Sequence, residues 1–227
     1  PGLLMVLGTP AVWAVEPPAT AKSPVVDEYH GTKVTDDYRW LEDWSNAKVQ
    51  AWSEAQNTYA RSMLDKLPGV ETIRARVTQL QSVNAPSYGA IGTHGGKFFA
   101  MKRQPPKQQP FLVVMPSPFH PDQEKVVVDP NTMSTTGGIS MDWAVPSPDG
   151  TLVAVSLSKG GSESGDVHVF SVETGKEVFE TIARVNGGTA GGSLAWTPDS
   201  KGFFYTRYPR EGERPKDDMD FFLQLFS

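Results

Sequence analysis

Two short turns constrain this chain more than anything else in it. Trp143-Ala144-Val145-Pro146-Ser147-Pro148-Asp149-Gly150 leads into an alternating apolar run at 151–157. Leu194-Ala195-Trp196-Thr197-Pro198-Asp199-Ser200-Lys201-Gly202 leads into Phe203-Phe204-Tyr205, and the two Pro-Asp pairs stand 50 residues apart. Proline fixes φ and aspartate folds back onto its own backbone, so each pair makes a tight turn between two strands. A β-rich period of about 40 to 50 residues is the mark of a propeller, with one four-stranded blade per repeat. A β-sandwich that reuses one turn is the competing fold.

From Pro86 onward the other runs agree with blades. They are short, β-branched or aromatic, and bounded by Gly, Pro, Asn or Asp. Strands are predicted at 97–102, 111–115, 125–129, 151–157 and 166–172, then a turn at Glu173-Thr174-Gly175 and a further strand at 176–179. Gly175 supplies the positive φ such a turn needs. A strand-like run at 221–226 follows a charged loop at 207–220. Because the chain stops on that run, which would leave an unpaired edge, a longer protein is expected.

Two helices precede the strands. Trp52, Ala55, Tyr59 and Met63 recur at three- and four-residue steps, after Ser45 or Asn46 as cap and before Lys66-Leu67-Pro68-Gly69 as stop. Ile73, Val77 and Leu80 form a shorter stripe in a second helix from about 70 to 80. Both stripes are expected to be core. At the start, the apolar run 3–14, with small Val12 and Ala14 at the cleavage-site spacing, reads as a clipped signal peptide over 1–14. It is too short to span a bilayer. Residues 15–23 read as a linker. An export signal places the protein in the periplasm or outside the cell.

The chemistry-bearing residues are sparse. There is no Cys, which excludes disulfides, thiolate metal sites and a Cys nucleophile. The net charge of −5, with no clustered Lys and Arg, argues against nucleic acid. Gly191-Gly192-Ser193-Leu194-Ala195 imitates a Gly-x-Ser-x-Gly elbow, but position 195 is Ala and a blade turn follows where a helix is needed. Ser162 and Ser164, in the Gly-rich run 159–165, read as hairpin loop. His30, His94, His120 and His168 read as solvent or packing residues, since no second ligand stands at metal-binding spacing. Asp36, Asp37, Glu42 and Asp43 surround Tyr38-Arg39-Trp40, which fits a packed segment: Arg39 pairs with a carboxylate while the rings are buried. The Gly runs at 187–188 and 191–192 lack the context of a phosphate loop. No catalytic, cofactor-binding or metal-binding residue is therefore assigned, and no cofactor is expected.

Tyr29-His30-Gly31, the block Tyr38-Arg39-Trp40-Leu41-Glu42-Asp43 and Ala55-Gln56-Asn57, with the two Pro-Asp turns, resemble the prolyl oligopeptidase family of serine peptidases. The likeness runs from about Pro24 to the last residue. The family usually has Pro where this chain has Asp37, and the Trp-Leu-Glu-Asp block is closer to the prolyl-specific branch than to the basic-residue-specific one. The resemblance implies an α/β-hydrolase domain carrying Ser, Asp and His in its later part, capped by a seven-bladed propeller inserted into it. Residues 24–83 would then be the N-terminal helical segment of the hydrolase domain, packing on an α/β-hydrolase body that is absent here, and 84–227 an incomplete propeller of two to three blades. The fold class implied is mainly β. The activity implied is that of a serine endopeptidase acting on short peptides after proline, with this stretch itself inactive because it lacks the triad. A non-enzymatic propeller module that binds peptide or protein is the alternative, and a hydrolase encoded on a separate chain is another.

Overall fold

The computed structural model describes residues 16–83, 85–187 and 191–227. The proposed signal peptide and the first residue of the linker lie outside them. The chain divides into two compact units, one up to Gln79 and one from Leu80 onward.

The first unit begins with a hairpin, β1 (Val25–Tyr29) and β2 (Thr32–Asp36), paired antiparallel from Val25↔Asp36 to Tyr29↔Thr32. Its two-residue loop is His30-Gly31, with φ of 51° and 80°. Positive φ at both central residues is the requirement of a type I′ turn, which matches the strand twist and favours Gly at the second position. No strand was expected here, because Asp27, Glu28, Lys33 and Asp36 break the apolar alternation.

A 3₁₀ turn at Arg39–Glu42 leads to α1 (Ala47–Leu64). The Asn46 side chain caps α1 by accepting from the Lys48 N–H at 2.9 Å, which satisfies one of the orphan donors of the first turn. Residues 16–23 lie along this helix. Trp52 Nε1 donates to Thr20 Oγ1 at 3.0 Å, and Gln56 Nε2 to the Pro18 carbonyl at 2.7 Å. Trp40 Nε1 donates to the Ala21 carbonyl at 2.9 Å and its ring meets Trp52 edge-on at 6.3 Å. The supposed linker is thus a strap held by two indole N–H groups.

The expectation that both helical stripes are core fails. In α1, Val49 is buried, Trp52, Tyr59 and Met63 are half-buried, and Ala55 is exposed. In α2 (Val70–Gln81) no residue is buried; Ile73, Val77 and Leu80 are 64%, 49% and 54% exposed. The amphipathic period was read correctly, but no described element covers the apolar side.

The second unit is three antiparallel meanders with strands in sequential order. Blade 1 is β3 (Ser87–His94), β4 (Lys97–Arg103), β5 (Phe111–Met115) and β6 (Lys125–Val128). Blade 2 is β7 (Ile139–Pro146), β8 (Leu152–Lys159), β9 (Gly165–Ser171) and β10 (Ile182–Asn186). Blade 3 has three strands, β11 (Leu194–Trp196), β12 (Phe203–Arg207) and β13 (Gln224–Phe226). The strand expected at 176–179 is reduced to one bridge, Phe170↔Glu177, and the run at 221–226 pairs only over Gln224–Phe226.

Alternation along β8 explains how blades stack. Val153, Val155 and Leu157 face blade 1 and pack with Phe99, Leu112, Val114, Val127 and Val128. Ala154 faces the other way, into the layer formed by Val167, Val169, Ile182, Val185 and Leu194 with Trp196, Phe203 and Tyr205 of blade 3. A strand covered on both faces reads as a continuous apolar run, which is why β5 was legible, whereas β8 was read from its alternation. Each fully buried Val contributes roughly 1.5–3 kcal/mol relative to exposure.

Candidate functional site

The repeated turns are built alike. The Ser147 N–H donates to the Leu152 carbonyl at 2.9 Å, and the Thr197 N–H to the Gly202 carbonyl at 2.8 Å. In each, the hydroxyl of the first residue donates to the aspartate two positions on, Ser147 to Asp149 and Thr197 to Asp199, both at 2.6 Å. Asp149 also accepts from the Thr151 N–H and hydroxyl, and Asp199 from the Lys201 N–H. These bonds favour the ionised carboxylate, so both aspartates sit below the usual carboxylate range, chiefly through the hydroxyl bond.

The turns also join the blades. The Asp149 N–H donates to Ser200 Oγ at 3.1 Å, and Lys97 Nζ of β4 donates to the Gly150 carbonyl at 2.9 Å. Gly95, in the β3–β4 turn at φ 55°, has the Asp149 carbonyl oxygen 1.8 Å from where a Cβ would stand, so only glycine fits. Trp196 Nε1 adds a bond to the Val145 carbonyl at 2.9 Å.

The candidate residues are placed apart from one another. Ser193 precedes β11, shares a hydroxyl contact of 3.1 Å with Thr206, and has strand rather than helix after it. Ser162 accepts from the Ser164 N–H at 3.3 Å inside the β8–β9 loop. His30 turns the β1–β2 hairpin, His94 lies edge-on to Phe99 at 5.9 Å, and His120 precedes the 3₁₀ turn Pro121–Gln123. Among the described residues, His168 is the imidazole that meets a hydroxyl. Its Nδ1 is 2.8 Å from Glu177 Oε1 and 3.4 Å from Thr181 Oγ1. A catalytic triad needs the carboxylate on one ring nitrogen and the nucleophile on the other, so two contacts on one nitrogen do not make a base for Thr181.

Arg39 is paired as expected, but with two carboxylates. It binds Asp27 across the hairpin and Asp36 through Nε at 3.2 Å. Its own hydrogen bonds hold the guanidinium above its ordinary range. Asp27 is lowered by Arg39, and Asp36 first by the Tyr38 N–H. Asp37 pairs with Lys22 at 2.6 Å and Asp43 accepts from the Ser45 N–H and hydroxyl. Asp27, Asp36, Asp37 and Asp43 are thus engaged in fixing the strap and the first turns, while Glu42 ends the 3₁₀ turn. Tyr38 itself stays exposed, contrary to the expected burial. Among the described residues no group of three or more His, Asp or Glu side chains is arranged to hold a metal ion.

Residues 17–222 match the family described as the prolyl oligopeptidase N-terminal beta-propeller domain. The chain belongs to the prolyl oligopeptidase family. Among curated relatives, the prolyl endopeptidase of Elizabethkingia meningoseptica is 29% identical over 200 residues, covering 86% of this chain and 26% of the relative. The dual function macrocyclase-peptidase POPB of Galerina marginata is 28% identical over 211 residues, covering 85% and 29%. A solved structure from a study of two prolyl endopeptidases superimposes with a TM-score of 0.77 at 33% identity, covering 92% of this chain and 30% of that one. Prolyl oligopeptidase B from Galerina marginata, bound to a 35mer hydrolysis and macrocyclization substrate, gives 0.69 at 25% identity, covering 88% and 30%. The chain therefore spans between a quarter and a third of the relatives' length, and the mainly β, partial-propeller architecture is theirs.

One feature of the propeller escaped sequence reasoning. Both first strands bulge. In β3 the pairing slips between Gly89 and Gly92, with Ala90 at φ 48°, and in β7 it slips at Asp142, between Met141 and Trp143. A cleft of about 360 Å³ opens there between blades 1 and 2. The signal available was glycine spacing in Ser87-Tyr88-Gly89-Ala90-Ile91-Gly92, since Gly inside a strand pattern marks a bulge.

Proposed function

We propose that the chain is the N-terminal part of a longer prolyl oligopeptidase-like serine endopeptidase that cleaves short peptides after proline. Residues up to about 83 belong with an α/β-hydrolase body, and the blades form part of the lid that limits access to it. The observation that carries this reading is the bare side of α2. A helix whose apolar stripe is open to water is not self-sufficient, because most helical stability in proteins comes from packing of that stripe. The outer side of blade 3 supports the same reading: Phe204 and Leu225 are exposed on the face away from blade 2, where a further blade would stack.

The nucleophile and its imidazole are supplied by the rest of that protein, so residues 1–227 alone hydrolyse nothing. Export to the periplasm or the medium is part of the proposal and rests on the run at 3–14. The test is direct. Purified 1–227 is incubated with a Gly-Pro amide substrate and a fluorophosphonate probe, in parallel with the product of the extended reading frame. Turnover and labelling in the long product alone are expected. Labelling of any Ser in 1–227 would overturn the reading, as would an extended frame without a Gly-x-Ser-x-Gly elbow.

A further inference from the structure

Of the five Asn in the sequence, Asn186 is the one followed by Gly; the other four precede Ala or Thr. That neighbour decides its chemistry. The Cγ of an Asn side chain can be attacked by the backbone nitrogen of the next residue, and a Cβ on that residue shields the nitrogen. Glycine leaves the approach open. Other Asn side chains are placed against such a reaction. Asn46 and Asn57 lie at the cap and in the body of α1, and Asn131 is tied to Gln109 and Asp129.

Asn186 ends β10, the edge strand of blade 2, which pairs with β9 at Ile182↔Val167 and Asn186↔Gly165 with a register slip between them. Arg184, inside the slip, sits at φ 62°. A half-buried strand end with so few rungs opens more readily than the middle of a sheet. The Gly187 N–H is held by the Gly191 carbonyl at 3.1 Å, so loss of one bond frees the attacking nitrogen. The place matters to the blades. Asn186 Nδ2 donates to the Glu163 carbonyl of the β8–β9 loop at 3.1 Å. The Tyr208 ring of blade 3 lies against Gly187, where a Cβ would stand 2.5 Å from it, and the Tyr208 N–H donates to the Arg184 carbonyl at 2.9 Å. Asp142 is close by: a Cβ on Gly165 would stand 2.2 Å from its Oδ2 and 3.2 Å from Asn186 Cβ.

We propose that Asn186 is a site of spontaneous deamidation at the joint of blades 2 and 3. The Gly187 nitrogen forms a bond to Cγ, the Cγ–Nδ2 bond breaks, and ammonia leaves with the proton of the Gly187 amide. Water then opens the cyclic imide to aspartate or isoaspartate. Either product adds a negative charge beside Asp142. Aspartate also exchanges the Nδ2 donor for an acceptor that faces the Glu163 carbonyl, and isoaspartate lengthens the backbone at the last rung of β10. Both loosen the joint. The site stands on the geometry of the two blades and not on the peptidase reading, so either holds if the other fails.

Purified 1–227 is held at mildly alkaline pH, digested with trypsin at intervals and read by mass spectrometry. The peptide 185–201, which carries Asn186, should gain the mass of amide-to-acid conversion at least tenfold faster than the peptides carrying Asn57 and Asn131. Labelling by an isoaspartyl methyltransferase should follow in the same peptide. Asn186→Asp reads the consequence for the joint. Hydrogen exchange at the Gly187, Gly191 and Tyr208 amides should speed at least tenfold, with the Val153 and Val155 amides of β8 unchanged. Conversion at Asn186 no faster than at Asn57 or Asn131 overturns the proposal. Unchanged exchange in Asn186→Asp overturns the loosening of the joint. If Asn186→Asp does not fold, the peptide map of the unmodified chain still decides.

Discussion

The backbone N–H of Asp149 donates to the hydroxyl of Ser200 at 3.1 Å, so one turn of the repeat holds the other. Ser200 sits at φ 60°, a left-handed conformation that costs a non-glycine residue roughly 1 kcal/mol. The residue is therefore strained and useful at once. Ser200→Ala keeps the strain and loses the acceptor, so it should destabilise by about 1 kcal/mol. Ser200→Gly loses the acceptor but relieves the strain, and should come out near neutral. Urea denaturation of the three proteins checks the order. An alanine variant as stable as the parent would mean the inter-turn bond adds nothing.

The two turn aspartates are not equivalent. Asp149 receives a hydroxyl from Ser147 and both the N–H and hydroxyl of Thr151, whereas Asp199 receives the Thr197 hydroxyl and the Lys201 N–H. Asp149→Ala should cost more than Asp199→Ala, since it loses three hydrogen bonds to the charged acceptor where Asp199 loses two. Thermal melts of the two variants give the comparison. The reverse order would show that turn geometry, not bond count, sets the cost.

Acid should loosen the β12–β13 loop late. Arg207 grips Glu213 with both terminal nitrogens, at 2.7 and 2.9 Å, and the Arg210 N–H adds a third bond at 2.8 Å. These pull the Glu213 carboxyl from 4.5 down to about 2, with the Arg207 bond as the largest cause. A carboxyl lowered in the folded state contributes its stability above the unfolded value and loses it as pH falls through the folded one. The loss for this group therefore falls between pH 4.5 and about 2. Glu213→Gln should flatten the stability profile in that window and leave it unchanged near neutrality in slope. A carboxyl titration of Glu213 with its midpoint near 4.5 would refute the account.

What the sequence displayed depended on whether local chemistry and tertiary environment agreed. Phe111–Met115 was legible to the residue because an apolar run between Pro110 and Pro116 allows little else. The Asn46 cap and the Pro68-Gly69 stop placed α1 within a residue or two. Strand β3 was missed, since three of its residues, Gly89, Ala90 and Gly92, have weak strand preference and the slip between them breaks alternation. Residues 176–179 have the composition of a strand, but Glu177 turns to His168 and no ladder forms beyond one bridge. The cleft was invisible for a related reason. Its walls come from two blades, and β7 carries one residue more than β8 opposite it.

The bare stripe of α2 gives the sharpest test of where this chain belongs. Ile73 and Val77 lie one turn apart on the exposed side, so replacing them removes little buried area from the chain itself. Ile73→Glu with Val77→Lys also creates an i,i+4 pair in the favourable order, worth about 0.2–0.5 kcal/mol, and substitutes better helix formers for two β-branched residues. In 1–227 the double variant should melt no lower than the parent and should aggregate less, as read by light scattering. In a longer protein that carries the hydrolase body, the same pair places two charges in an apolar contact, and peptidase activity or soluble yield should fall at least tenfold. Both readouts are needed. A double variant that unfolds 1–227 would mean the stripe packs within this chain, and one that leaves the longer protein fully active would mean the stripe is not its docking face.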